Sequence, residues 1–96
     1  MPHSKTALTQ YARLEAGGLW RETPDAQRRD VIVSLGSATL ILTSTSDQPL
    51  THWSLPAIIR LNPGQVPAVF APGPEASETL EVEDADMTEA IETVRQ

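Results

Sequence analysis

Hydrophobic positions alternate with polar ones through the middle of this chain and recur at helical spacing only near its two ends. Asp30-Val31-Ile32-Val33-Ser34-Leu35 and Ala38-Thr39-Leu40-Ile41-Leu42-Thr43 are rich in β-branched residues and predict two strands. Gly36-Ser37 between them predicts a tight hairpin that uses a positive φ angle. A second turn at Ser46-Asp47-Gln48 leads into a third strand over residues 50–55. There the period of two puts Thr51, Trp53 and Leu55 on one face and His52 and Ser54 on the other, with Trp53 inward and His52 in solvent.

Pro56 interrupts pairing, and residues 57–61 then form a short strand or a bend. Asn62-Pro63-Gly64 is a turn signal, because proline presets one dihedral and glycine tolerates the next. Residues 66–71 read as a strand that Pro67 either demotes to a sheet edge or confines to a late start. Thr79-Leu80-Glu81-Val82-Glu83 alternates strictly, with Leu80 and Val82 inward. At the C-terminal end Met87, Ala90, Ile91 and Val94 fall on one helical stripe, and Asp86 with Glu89 reads as its capping box. At the other end, Leu8, Tyr11, Ala12 and Leu14 predict a helix over residues 6–15, stopped by Gly17-Gly18, with the first strand starting near Leu19.

The chain has 96 residues, enough for one domain and too few for two. It divides into an N-terminal helix and cap over residues 1–18 and a β domain with its closing helix over residues 19–96. Seven Lys and Arg against thirteen Asp and Glu give a net charge of −6, which argues against nucleic acid and anionic membranes as partners. Without cysteine, disulfides, zinc–thiolate sites and cysteine nucleophiles are excluded. No secretory signal and no apolar run of membrane-spanning length is present, so a cytoplasmic location is expected. The closing helix runs into Arg95-Gln96 without a capping glycine, so either the helix frays there or this is the N-terminal domain of a larger protein.

An antiparallel meander followed by one amphipathic helix resembles the pleckstrin-homology-like superfold. Residues 38–43 followed by His52-Trp53-Ser54-Leu55-Pro56-Ala57-Ile58 look like the strand and "Trp-x-Leu-x-x-Ile" step of GRAM and bacterial pleckstrin-like domains. Residues 78–94 look like the last strand and closing helix of that fold. The helix tryptophan typical of pleckstrin-homology domains is missing here, and an N-terminal helix is not part of the core plan. The resemblance implies an α+β fold, a pleckstrin-like barrel or strongly bent antiparallel sheet closed by the C-terminal helix, with the N-terminal helix added. It leaves the ligand open, because this superfold serves lipids, peptides and proteins alike.

Candidate chemistry is sparse. Residues 61–94 hold eight acids and no Lys or Arg. This tract reads either as a solvated face with acids at a helix N-terminus or as a docking surface for a basic partner, with Glu81 and Glu83 at its centre. A calcium loop around Glu81, Glu83, Asp84 and Asp86 lacks the EF-hand spacing. Arg28 and Arg29, with Arg21 nearby, are the cations that the pleckstrin resemblance offers to a phosphoinositide, but Asp25 and Asp30 flank them. Trp20 is either a pin for the N-terminal helix or an exposed binding anchor. His3 and His52 form no metal-ligand spacing, no Gly-x-Ser-x-Gly elbow accompanies the serines, and no glycine spacing cradles a phosphate, so no metal, cofactor or catalytic residue is assigned.

The resulting expectation is a non-catalytic protein-interaction or regulatory module, with Trp20, Arg21, Arg28, Arg29, Glu81 and Glu83 as partner-binding candidates. The alternatives are a small-ligand carrier or small enzyme with a cavity under the sheet, and a phosphoinositide-binding domain. A homodimer is expected if the N-terminal helix covers an apolar edge strand, residues 30–35 or 38–43, of a neighbouring copy.

Overall fold

The computed structural model describes residues 14–95. Seven antiparallel strands form one sheet: β1 (Glu15–Arg21), β2 (Arg29–Leu35), β3 (Thr39–Ser44), β4 (Pro49–Ser54), β5 (Ile59–Arg60), β6 (Ala68–Ala71) and β7 (Thr79–Val82). A 3₁₀ turn, Leu55–Ala57, joins β4 to β5, and helix α1 (Ala85–Val94) follows β7. The spatial order is β4-β3-β2-β1-β7-β6-β5. Two meanders thus meet where β7 pairs with β1, placing the first strand at the centre.

This order dictates curvature. In a flat sheet β4 and β5 would lie six inter-strand spacings apart, about 29 Å. The five Cα steps from Ser54 to Ile59 reach at most about 18 Å. The sheet therefore curls into a half-barrel, and its concave side is the core. The inward residues are those on the period-two pattern: Val31, Val33 and Leu35 of β2, Leu40 and Leu42 of β3, Trp53 of β4, Phe70 of β6, Leu80 and Val82 of β7. Met87, Ala90 and Ile91 of α1 are fully buried against them, and Val94 packs at the margin. Trp53 is buried and His52 exposed, as their alternation predicts.

Several expectations are corrected by the assembled sheet. The expected N-terminal helix falls on residues outside the described ones up to residue 13, while Leu14 is irregular and Glu15 already belongs to β1. Gly17 and Gly18, read as a helix stop, lie inside β1, and the expected domain boundary after residue 18 cuts that strand. Gly18 has a packing reason to lack a side chain. A Cβ there would sit 3.0 Å from Leu80 Cδ1, 3.1 Å from the Glu81 carbonyl oxygen and 3.1 Å from Val33 Cγ2. The strands expected as edges, β2 and β3, are interior, and so is β6, where Pro67 stands just before the first paired residue.

The hairpin at Gly36 closes with the Gly36 amide donating to the Thr39 carbonyl at 2.7 Å. Its φ is not positive; a Cβ would press on Thr39 Oγ1 at 3.0 Å, so close approach rather than backbone conformation selects glycine. Gly64, by contrast, does adopt φ +81° in the Asn62-Pro63-Gly64-Gln65 turn. The helix cap is Asp84 rather than Asp86: its Oδ1 accepts from the Met87 amide at 2.8 Å, and Asp86 sits in the first turn. With Met87 three residues after the cap, the reciprocal box expected from Asp86 and Glu89 does not form. Among the described residues, no helix is long and apolar enough to cross a membrane.

Candidate functional site

The outer face of the sheet carries a groove where β1 runs between β2 and β7. Pairing places Leu19 opposite both Asp30 and Glu81, and Gly17 opposite Ile32. These outward positions leave an open trough of about 740 Å³, bordered by Leu19, Ile32, Asp30, Glu81, Glu83 and Asp84. Its floor is low because β1 has no side chain at Gly17, where a Cβ would meet nothing within 4 Å. The inner glycine lets the core close, and the outer one keeps the trough open.

The carboxylates around the trough are not equivalent. Arg28 reaches over β1 and donates from Nη1 to Glu81 Oε2 at 2.9 Å and Oε1 at 3.2 Å. Asp84 is committed to the helix cap. Asp30 and Glu83 are exposed and join no ion pair among the described residues. An apolar floor from Leu19 and Ile32 between two uncompensated acids suits an extended segment with aliphatic and basic side chains.

The residues singled out from sequence do not gather into one site. Trp20 is 7% exposed and belongs to the core rather than the surface. Arg21 donates to the Pro24 carbonyl at 3.3 Å, Arg28 is held by Glu81, and Arg29 is exposed at the start of β2. Glu81 and Glu83 do share the trough. The concave side of the sheet is filled by the apolar cluster, so the large opening lies outside the barrel and not under it.

Two constellations depend on residues far apart in sequence. Glu78, just before β7, accepts both indole N–H groups on a single oxygen, from Trp20 Nε1 at 2.7 Å and Trp53 Nε1 at 2.9 Å. A buried tryptophan needs an acceptor, but which acid supplies it depends on contacts 58 and 25 residues away in sequence. The second is a clasp at the end of α1. Glu92 accepts from Arg60 Nη1 at 2.7 Å and from Arg95 Nε at 2.8 Å, and Arg95 also donates to the Ile58 carbonyl at 3.1 Å. The Arg60 guanidinium lies 5.6 Å from the centre of the Phe70 ring and donates to the Gln65 carbonyl. Partial burial pushes the Glu92 carboxyl up, but the hydrogen bonds and charges of Arg60 and Arg95 outweigh it, and the group is held below its ordinary value.

Comparison with known proteins returns no matching family model, no matching curated protein and no matching solved structure.

Proposed function

We propose that this chain is a non-catalytic, pleckstrin-homology-like interaction module that holds a basic, extended segment of a protein partner in the outer trough over Gly17. The observation that carries this reading is the trough itself: an apolar floor made by Leu19 and Ile32, flanked by the uncompensated Asp30 and Glu83. The meander, the curled sheet and the C-terminal helix support the pleckstrin-like assignment. The filled concave side favours a surface-docking role over a carrier or enzyme working under the sheet. Phosphoinositide binding gains no support, because Arg28 is engaged by Glu81 and Arg21 turns to a backbone carbonyl.

The test is an amide-resolved titration with a short peptide alternating Lys or Arg with Leu or Val, and with its acidic counterpart as control. Shifts should concentrate on residues 17–19 and 30–32 with the basic peptide only. Gly17→Leu fills the trough from a position with open space around it, and should abolish binding without lowering the melting temperature. Glu83→Lys should weaken binding several-fold. Equal response to both peptides, or binding that survives Gly17→Leu, rejects this reading.

A further inference from the structure

We propose that the open edge of β4 pairs antiparallel with β4 of a second copy of this chain across a two-fold axis, which goes beyond the peptide-docking reading and uses a different surface. Among the described residues, β4 is the last strand in the order and pairs only with β3. Its free edge can be worked out from hydrogen-bond parity. The Leu55 amide donates to the Ala38 carbonyl at 3.1 Å, so 55 and 38 form a hydrogen-bonded pair. In an antiparallel ladder such pairs alternate, which turns Trp53 towards Leu40 and Thr51 towards Leu42. The backbone N–H and C=O groups of His52 and Ser54 therefore point away from the sheet. The Ser54 carbonyl also caps the 3₁₀ turn Leu55–Ala57, which leaves the His52 N–H, the His52 C=O and the Ser54 N–H as the groups the β4 edge offers to a neighbouring strand.

Sheet edges are normally protected by charge, brevity or distortion. The opposite edge has such protection: β5 is two residues long and carries Arg60, clasped to Glu92. The β4 edge has such a device only at its start, where Leu42 pairs with Thr51 and Thr43 with Pro49, so that Leu50 is the extra residue of a bulge. Residues 51–54 are regular, and no charged residue lies between Asp47 and Arg60. A shallow groove of about 420 Å³, lined by Ile41, Leu50 and His52, runs along β3 and β4 on the outer face.

Charge selects the occupant. Each copy carries −6, so two copies repel wherever their acids face, and the acids are concentrated in residues 61–94. The uncharged edge is where a like-charged copy approaches at least cost, whereas a basic segment is drawn to the acidic flank instead. A two-fold axis at Trp53 pairs His52 with the partner's Ser54 and Ser54 with the partner's His52, giving both outward N–H groups of each copy an acceptor in one register.

Sedimentation equilibrium of the full 96-residue chain, from roughly 1 μM to roughly 1 mM, tests this. A monomer–dimer equilibrium is expected. Ser54→Pro removes one outward N–H at a residue whose φ is already −68°, and His52→Lys places a charge on the edge at an exposed position. Each should weaken dimerisation at least tenfold while leaving the thermal melt of the monomer in place. Wild type that stays monomeric throughout, or dimerisation unchanged in both variants, overturns the proposal. Hydrogen exchange supplies a further check: protection of the His52 and Ser54 amides in a strictly monomeric protein, lost on deleting residues 1–13, would mean that the chain covers its own edge, and would equally overturn it.

Discussion

Residues 31–59 carry one charged side chain, Asp47, whereas residues 61–94 carry eight acids and no cation. Both stretches contribute strands to the same curled sheet, and both bury their inward side chains completely: Val33 and Leu42 in the first, Phe70 and Leu80 in the second. The difference lies in what organises the parts that the apolar pattern does not reach. The neutral stretch relies on local devices. Ser44, buried in the β3–β4 turn, accepts from the amides of Ser46 and Gln48, and Asp47 takes the left-handed conformation with φ 67°. Three acids of the acidic stretch, Glu78, Glu81 and Glu92, are instead tied to residues far away in sequence, while Asp84 acts locally. Glu78 holds both indoles, Glu81 takes Arg28, Glu92 takes Arg60 and Arg95, and Asp84 caps α1. Half of its acids thus have structural partners, and a tract of negative charge in sequence is not one continuous docking surface in space.

The largest effect should come from the apolar layer that the two stretches share. Ile91→Ala and Leu42→Ala should each destabilise by roughly 2–5 kcal/mol, since both side chains are fully buried. The losses should be equal in low and high salt. A melt of Ile91→Ala indistinguishable from wild type would show that α1 is not docked, and a strong salt dependence would break the idea that burial dominates in both stretches.

Next in size is the carboxylate between the tryptophans. Glu78→Ala leaves two indole N–H groups without an acceptor and should cost roughly 1–3 kcal/mol. Glu78→Gln keeps an acceptor and should recover most of that loss. Denaturant titration followed by tryptophan fluorescence reads both stability and the environment of the two indoles. Equal stability of the Ala and Gln variants would mean that Glu78 acts only as one more surface acid.

A smaller effect is expected from the clasp at the end of α1. The Glu92 carboxyl is depressed in the folded state, so its contribution is present above the ordinary carboxylate range and is lost as pH falls through the folded value. Between about pH 6 and about pH 3, the melting temperature of wild type should fall more steeply than that of Glu92→Gln. Parallel pH profiles would remove Glu92 from the acids that serve the fold.

No effect at all is expected with lipid. With Arg28 held by Glu81 and residues 61–94 at net −8, the protein should not cosediment with anionic vesicles at physiological salt. Cosedimentation that is lost when Arg28 and Arg29 become Ala would restore the phosphoinositide alternative and reverse the reading of the cations as structural.

Much of the secondary structure was legible because it rests on short periods. The alternation in residues 31–35, 51–55 and 79–82 and the stripe Met87, Ala90, Ile91 state which side is buried without reference to the rest of the chain. The Pro63-Gly64 turn was legible for the same reason, since φ preferences belong to the residues themselves. The helix cap was less so. Glu83, Asp84 and Asp86 offer competing starts, and only the end of β7 places the Asp84 side chain over the first turn. Of the candidate site, Glu81 and Glu83 were singled out from sequence, but the trough that makes them neighbours of Asp30 and Leu19 was not foreseen.

Alternation and turn chemistry in the sequence alone were therefore enough to specify an antiparallel sheet closed by a C-terminal helix, because side-chain direction along a strand or helix is a local property. Which strands lie at the edges, why Gly17 and Gly18 are glycine, and which acid meets the tryptophans were decided only by the tertiary structure. Each depends on strands far apart in the chain being brought into one register, as when Gly18 meets Leu80 and Val33, and that register comes from closing the sheet around a single core rather than from any one segment's pattern.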